Sequence, residues 1–178
     1  MHNTIKIVHK NDEVSTFIAD KIKEKLNYKE PDVTKVVISV GGDGTILRSI
    51  HENIDQIGDL TIFGVMTGHL GFFMDFKEDM IDKMLESIIN KTYNVHTFSL
   101  AEATIYADGS KHHFIALNEF QIVKSHRVVA FDVFIDDRKF ETFRGNGLCF
   151  STPAGSTGMN KSLRGAIVDP LLESIQMT

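Results

Sequence analysis

The turn GGDGT, residues 41–45, is the stretch whose residue types could do chemistry. It follows an apolar run at 36–40 and precedes a helical pattern, so backbone N–H groups and a helix N-terminus should meet there, as they do in phosphate sites. Asp43 places a carboxylate at the centre of the turn. Such a carboxylate can accept the proton of a substrate hydroxyl, or help to hold Mg²⁺, while the flanking N–H groups face phosphates. Phosphoryl transfer to an alcohol needs this combination.

Other readings of the same turn stay open. It lacks the G-x-x-x-x-G-K-[ST] pattern of a P-loop, and Leu47 stands at the third glycine position of G-x-G-x-x-G. A plain phosphate cradle is therefore disfavoured. Asp43 could instead only cap the helix, which we expect to begin near Thr45, although Thr45 could serve as the cap itself. The backbone that would face phosphates belongs to Gly41, Gly42, Gly44 and Thr45.

Three further stretches carry groups that suit a nucleotide. In TGHLGFFMDF, residues 67–76, the rings of Phe72 and Phe73 could pack on an adenine, or could belong to the core. The Asn-Glu pair at 118–119 ends an apolar strand, where it could bond to ribose hydroxyls or lie in a solvated turn. The segment 143–162 is dense in glycine, hydroxyl and amide groups. Together, these stretches indicate a site for a nucleotide's sugar and base.

Composition excludes several classes of protein. A net charge of −5 gives the chain no basic footprint for nucleic acid. No apolar run approaches the length of a membrane span, and one cysteine, Cys149, fits a reducing compartment. We therefore expect a cytoplasmic protein that binds neither nucleic acid nor membrane. No Cys/His/carboxylate cluster has zinc spacing, so we assign no residues as metal ligands.

The elements that must position these residues fall into two groups. Strands and helices alternate from residue 4 to about 90, which predicts an α/β domain with a parallel sheet at 1–95. Alternating segments with turns at 108–109 and 136–137 predict a β-rich domain at 96–178. The apolar stripe predicted for the first helix is Val14, Phe17, Ile18, Ile22 and Leu26, with Asn11 or Asp12 as the N-cap. The stripe predicted for the second helix is Ile46, Leu47, Ile50, Ile54 and Ile57.

In order and content, these motifs resemble those of the NAD kinase family. The match covers GGDGT, TGHLGF at 67–72, NE at 118–119, FRGNGL through STPAGSTGMNKS at 143–162, and GAIVDP at 165–170. The resemblance implies an α/β N-terminal domain, as in NAD and diacylglycerol kinases, a β-rich C-terminal domain, and an active site between them. It also implies phosphorylation of the adenosine ribose 2′-hydroxyl of NAD, with ATP or polyphosphate as donor and a divalent cation, usually Mg²⁺. Homodimers or homotetramers are expected.

The resemblance also assigns roles to single residues. Asp43 matches the catalytic base. The positions that match NAD-binding residues are Asp43, Gly44, Phe72, Asn118, Glu119, Arg144, Asn146, Thr157, Gly158 and Ser162.

Two positions depart from the family pattern, and two other functions stay open. Asn146 stands where many members have aspartate, and Thr157-Gly158-Met159-Asn160 stands where many read T-A-Y-N. Because family members extend well past residue 178, we expect the β-rich domain to be incomplete. The alternatives are a non-catalytic NAD(P)-binding module and a lipid or sugar kinase with the same GGDGT turn.

Overall fold

The computed structural model describes residues 4–69, 71–124 and 127–178. The chain divides into two compact units, Met1–Val95 and His96–Thr178. No helix within the described ranges is long and apolar enough to cross a membrane.

The first unit is built around a parallel sheet. Its elements are β1 (Ile5–His9), α1 (Glu13–Leu26), β2 (Val36–Gly41), α2 (Asp43–Glu52), β3 (Thr61–Met66) and α3 (Ile81–Asn90). The strands lie in the order β1-β2-β3, with Val36 opposite both Ile5 and Thr61. Every residue of β2 is buried, which is typical of a central parallel strand covered on both faces. The parallel α/β arrangement predicted from the sequence is confirmed.

Helix α1 buries a different face from the one predicted. Its buried residues are Ser15, Ile18, Ala19, Ile22 and Leu26. Val14 is 56% and Phe17 is 66% exposed, so the predicted stripe is wrong at these two positions. The first buried position of the helix is Ser15, whose hydroxyl lies 2.9 Å from that of Thr67, the residue that follows β3.

Helix α2 begins earlier and ends earlier than the sequence predicts. It starts at Asp43 rather than near Thr45, and it ends at Glu52. Ile54 and Ile57 belong instead to a 3-10 helix, Ile54–Asp59. The side chain of buried Asn53 donates to the carbonyl of Ser49 at 2.7 Å, and this bond closes the last turn of the α-helix.

The second unit is antiparallel and rich in strands, as predicted. Its strands are β4 (Ala101–Ala107), β5 (Ser110–Ala116), β6 (Glu119–Val123), β7 (Val129–Ile135), β8 (Arg138–Gly145), β9 (Gly147–Ser151) and β10 (Gln176–Met177). Asp108-Gly109 and Asp136-Asp137 have positive φ and form the tight turns of the hairpins β4–β5 and β7–β8. A third sheet has the order β10-β9-β6. A 3-10 helix, Ala154–Thr157, leads into α4 (Met159–Ser162).

Candidate functional site

The glycine turn joins the end of β2 to the start of α2, at the carboxyl edge of the parallel sheet. This edge is where ligands bind in open α/β sheets. Gly42 is the N-cap residue of α2, and its carbonyl accepts from the Thr45 N–H at 2.8 Å. The Thr45 hydroxyl accepts in turn from the Gly42 N–H at 3.5 Å. The helix therefore begins without help from the Asp43 carboxylate.

The Asp43 side chain instead reaches the loop that follows β3. Its Oδ2 atom accepts from the backbone N–H of Phe72 at 2.8 Å, and its Oδ1 atom accepts from that of Phe73 at 3.0 Å. A carboxylate has about four acceptor positions, so about two remain for another donor. Because the carboxylate is turned away from the helix N–H groups, the helix-cap interpretation of Asp43 does not apply.

The three glycines of the turn differ in the space that a side chain would have at each position. A Cβ at Gly42 or Gly44 would meet no atom within 4 Å, so the backbone there is open to a ligand. A Cβ at Gly41 would overlap the Thr45 hydroxyl and lie 3.1 Å from the Cβ of Lys10. Gly41 is thus needed for close packing, whereas Gly42 and Gly44 leave space on the outside of the turn.

A cleft of about 770 Å³ lies against this turn. It is lined by Lys10, Asp12, Glu13, Val14, Gly41, Gly42, Gly44, Thr45, Arg48, Thr67 and Gly68. Two of these side chains are cationic and two are carboxylates, so their formal charges cancel. Asp43 is not among the lining residues. It lies between the glycines that line the cleft and the loop that carries Phe72.

Three charged side chains of the cleft, those of Lys10, Asp12 and Arg48, form ion pairs or hydrogen bonds. Lys10 Nζ lies 3.0 Å from Asp12 Oδ2, and Asp12 Oδ1 accepts from the Ser15 N–H at 2.8 Å. The Ser15 N–H and the Lys10 ammonium lower the pKa of Asp12 to about 2, which keeps this carboxylate ionised at neutral pH. Arg48 donates to the carbonyl of His9 and lies 3.5 Å from Glu52.

No group of three or more metal-ligating side chains occurs within the described ranges. This does not conflict with a need for Mg²⁺, since that ion usually binds through one or two carboxylates and the phosphates of the substrate. The balanced charge of the cleft also fits such an ion, because a bound triphosphate would leave a large negative excess. Asp12 is one of the two carboxylates of the lining that could face it.

In the second unit, the predicted pair Asn118 and Glu119 leaves polar atoms without partners. Asn118 Oδ1 and Glu119 Oε2 are buried and accept no hydrogen bond from the described residues. Buried polar atoms are normally paired, so these two oxygens are candidates for binding a ligand. The backbone of Gly155 lies against Asn118, and a Cβ at Gly158 would lie 3.3 Å from Glu119 Oε2. The structure therefore brings Asn118, Glu119 and Gly158 together.

The remaining predicted site residues of this unit are more dispersed. Arg144 is near the end of β8 and Asn146 lies between β8 and β9, while Thr157 and Ser162 lie in the helical segment that follows; all four are exposed. Within the described residues, no hydrogen bond joins any of them to Asn118 or Glu119. Their roles in binding stay predictions.

Sequence reasoning missed three residues that shape these sites. Lys10 directly follows β1, and the rule that parallel strands end at one edge of the sheet could have placed it beside the glycine turn. Arg48 is four residues after Gly44, one helical turn away. Gly155 lies in the glycine-rich stretch 143–162, but only its neighbour in space shows why a side chain is excluded there.

Known proteins resemble this chain both in sequence and in fold. Residues 2–93 match the family model for the ATP-NAD kinase N-terminal domain. The chain is 40% identical over 174 residues to the NAD kinase of Lactobacillus johnsonii, covering 94% of this chain and 64% of that protein. It is 39% identical over 180 residues to NAD kinase 1 of Bacillus cereus, covering 96% and 67%. The chain thus spans about two thirds of the length of these relatives.

Solved structures share the fold. A yeast NADH kinase complexed with NADH superposes with a TM-score of 0.84 at 20% identity, over 98% of this chain and 64% of that one. An NAD kinase from Archaeoglobus fulgidus in complex with ATP gives a TM-score of 0.69 at 24% identity, over 97% and 70%.

Proposed function

The chain belongs to the NAD kinase family, and from this premise we propose that it transfers the γ-phosphoryl group of ATP to NAD. The acceptor is the 2′-hydroxyl of the adenosine ribose, and the products are NADP and ADP. The bond between the γ-phosphorus and the bridging oxygen of ATP breaks as a bond from that phosphorus to the ribose oxygen forms. The hydroxyl proton leaves to a carboxylate of the protein.

One observation carries this proposal: the Asp43 carboxylate lies between two surfaces of different character. On one side, Gly42 and Gly44 line the cleft that contains Lys10 and Arg48, a surface suited to phosphates. On the other side, the carboxylate contacts the loop on which the ring of Phe72 is 47% exposed, a surface suited to an adenine. A base in this position can reach the hydroxyl of a nucleoside while a phosphoryl group arrives from the cleft.

Asp43 is proposed to be the general base that takes the proton of the ribose hydroxyl. An alcohol has a pKa far above 7, so a positioned carboxylate that takes its proton lowers the barrier to attack on phosphorus. The backbone of Gly42 and Gly44, with open space beside it, and the cations Lys10 and Arg48 would stabilise charge on the transferred group. Mg²⁺ bound with ATP would offset the remaining phosphate charge, and Asp12 could provide it with a protein oxygen.

Asn118 and Glu119 are proposed to hold the dinucleotide through their unpartnered oxygens. Asn118→Ala removes an acceptor, and Glu119→Gln replaces one carboxylate oxygen by an NH₂ donor. Each should weaken NAD binding by roughly 1–3 kcal/mol, because donors on the ligand are left without acceptors. Glu119→Gln should leave the stability of the free protein unchanged or raise it, since Oε2 has no partner there. Calorimetric titration with NAD measures the affinity, and urea denaturation measures the stability.

The control for this pair is His112→Ala, on an exposed part of β5. It should change neither NAD affinity nor stability. A loss of stability in Glu119→Gln with NAD affinity intact would show that Glu119 is a structural residue and would contradict its assignment.

Lys10 is proposed to bind phosphates of ATP. Lys10→Ala should weaken ATP binding by about 1 kcal/mol, roughly fivefold, because one exposed charge–phosphate contact is lost. NAD binding should change less. Lys25 is a matched control, since it also forms an ion pair, with Asp82 at 2.7 Å, but does not line the cleft. Equal losses of ATP affinity in Lys10→Ala and Lys25→Ala would contradict a specific site.

The proposed activity is tested by incubating the protein with NAD, ATP and Mg²⁺ and measuring NADP by chromatography. Formation of NADP that depends on all three supports the proposal. Binding of NAD without product would favour the non-catalytic module, and phosphorylation of a lipid or a sugar in place of NAD would favour the other kinases with this turn.

The cellular location and the oligomeric state of the protein are also proposals. A cytoplasmic location fits the single cysteine, which is buried, because a reducing compartment needs no disulfide. A homodimer or homotetramer is expected from the family resemblance, and light scattering of the purified protein would measure it.

A further inference from the structure

The contact between Asp43 and the loop after β3 uses both oxygens of the carboxylate. Each oxygen accepts from one of two successive backbone N–H groups, those of Phe72 and Phe73, at 2.8 and 3.0 Å. These donors are 29 and 30 residues away in sequence. Hydrogen bonds to an ionised acceptor are about twice as strong as neutral ones. These two hydrogen bonds therefore hold the backbone at Phe72 and Phe73 against the start of α2. We call residues 71–74 the aromatic turn.

The aromatic turn is packed closely around this contact. A Cβ at Gly71 would lie 2.6 Å from Met74 Cγ and 3.2 Å from Asp43 Oδ1. On the sheet side, a Cβ at Gly64 would lie 2.8 Å from Met74 Sδ. Phe76 then returns to β3, where its N–H donates to Gly64 O at 3.0 Å. The absence of a side chain at Gly71 leaves space for the Asp43 carboxylate, and its absence at Gly64 leaves space for Met74.

The two rings of the turn do not share one environment. Phe72 is 47% exposed, whereas Phe73 is partly buried, and the rings meet edge to face with centroids 5.0 Å apart. The position of the exposed ring is therefore tied to the backbone that Asp43 holds.

We propose that Asp43 is also a positioning residue, which anchors the aromatic turn and so fixes the face of Phe72. The proposal rests on the proposed function for the ligand that Phe72 meets, an adenine, but the anchor itself concerns the free protein. Two acceptor positions of the carboxylate hold the turn, and the other two remain for the ribose hydroxyl. One side chain then sets the place of the base and receives the proton of the ribose attached to it.

Hydrogen exchange in the nucleotide-free protein tests the anchor. In Asp43→Asn, the amide oxygen can accept from one N–H, but its NH₂ group faces the other donor. We expect the Phe72 or Phe73 amide to exchange at least about tenfold faster, since local opening becomes easier. Amides of β2, such as that of Ile38, should keep their exchange rates. Asp75→Asn, which removes an exposed carboxylate from the same loop, is the matched control and should change neither rate.

A second variant keeps the test decisive if Asp43→Asn folds poorly. Gly71→Ala retains the carboxylate but crowds the turn away from it. It should also speed exchange at Phe72 and Phe73, and it should raise KM for NAD more than it lowers kcat. Unchanged exchange in both variants would overturn the anchor and leave the base assignment standing. Faster exchange in the variants, with no NADP formed by the parent protein, would support the anchor and contradict the proposed function.

Discussion

Replacing Asp43 by asparagine is expected to lower the turnover of NAD phosphorylation by about 10²–10⁴-fold, the range lost when a general base is removed. Asparagine has nearly the shape of aspartate but cannot accept the ribose proton. Steady-state measurement of NADP formation gives kcat and KM for the variant and the parent protein. The expected fall is mainly in kcat, with a smaller rise in KM for NAD because the aromatic turn loses part of its anchor.

The comparison with Gly71→Ala separates the two contributions of Asp43. That variant keeps the base and disturbs the anchor, so its kcat should stay well above that of Asp43→Asn. If Asp43→Asn keeps near-normal turnover, Asp43 is not the proton acceptor and the proposed mechanism is wrong.

Gly155→Ala is expected to destabilise the second unit by about 3 kcal/mol, at the upper end of the cost of an overpacked site. A Cβ at this position would overlap the carbonyl oxygen of Asn118 and lie 2.5 and 2.7 Å from its carbonyl carbon and Cα. Backbone atoms cannot move aside cheaply, and Thr152 holds both partners: its Oγ1 accepts from the Gly155 N–H at 3.1 Å, and its N–H donates to Asn118 O at 2.8 Å.

Urea denaturation followed by circular dichroism measures this loss, and NAD affinity should fall with it because Asn118 must shift. Gly58→Ala is the control, since a Cβ at Gly58 would meet no atom within 4 Å; it should change stability by less than about 0.5 kcal/mol. An unchanged unfolding midpoint in Gly155→Ala would mean that Asn118 is not held by this contact.

The sequence by itself determined the class of each unit and the place of the glycine turn. An apolar run such as 36–40 predicts a buried parallel strand, because a central strand is covered on both faces and needs no polar alternation. The hairpin turns at 108–109 and 136–137 were readable because only a few residue types accept positive φ. These signals are local, so neighbouring residues are enough to state them.

Tertiary structure alone decided what the side chains at these places contact. Phe17 fits an apolar stripe in sequence, but α1 turns Ser15 inward to meet Thr67, and Phe17 is left exposed. Asp43 was predicted as a base, a Mg²⁺ ligand or a helix cap, but its hydrogen-bond partners belong to a loop 29 and 30 residues away. Periodicity tells which residues share a face of a helix; it does not tell which segment of the chain packs against that face. The anchor at Asp43 and the exclusion of a side chain at Gly155 both depend on distant backbone, so only the folded chain shows them.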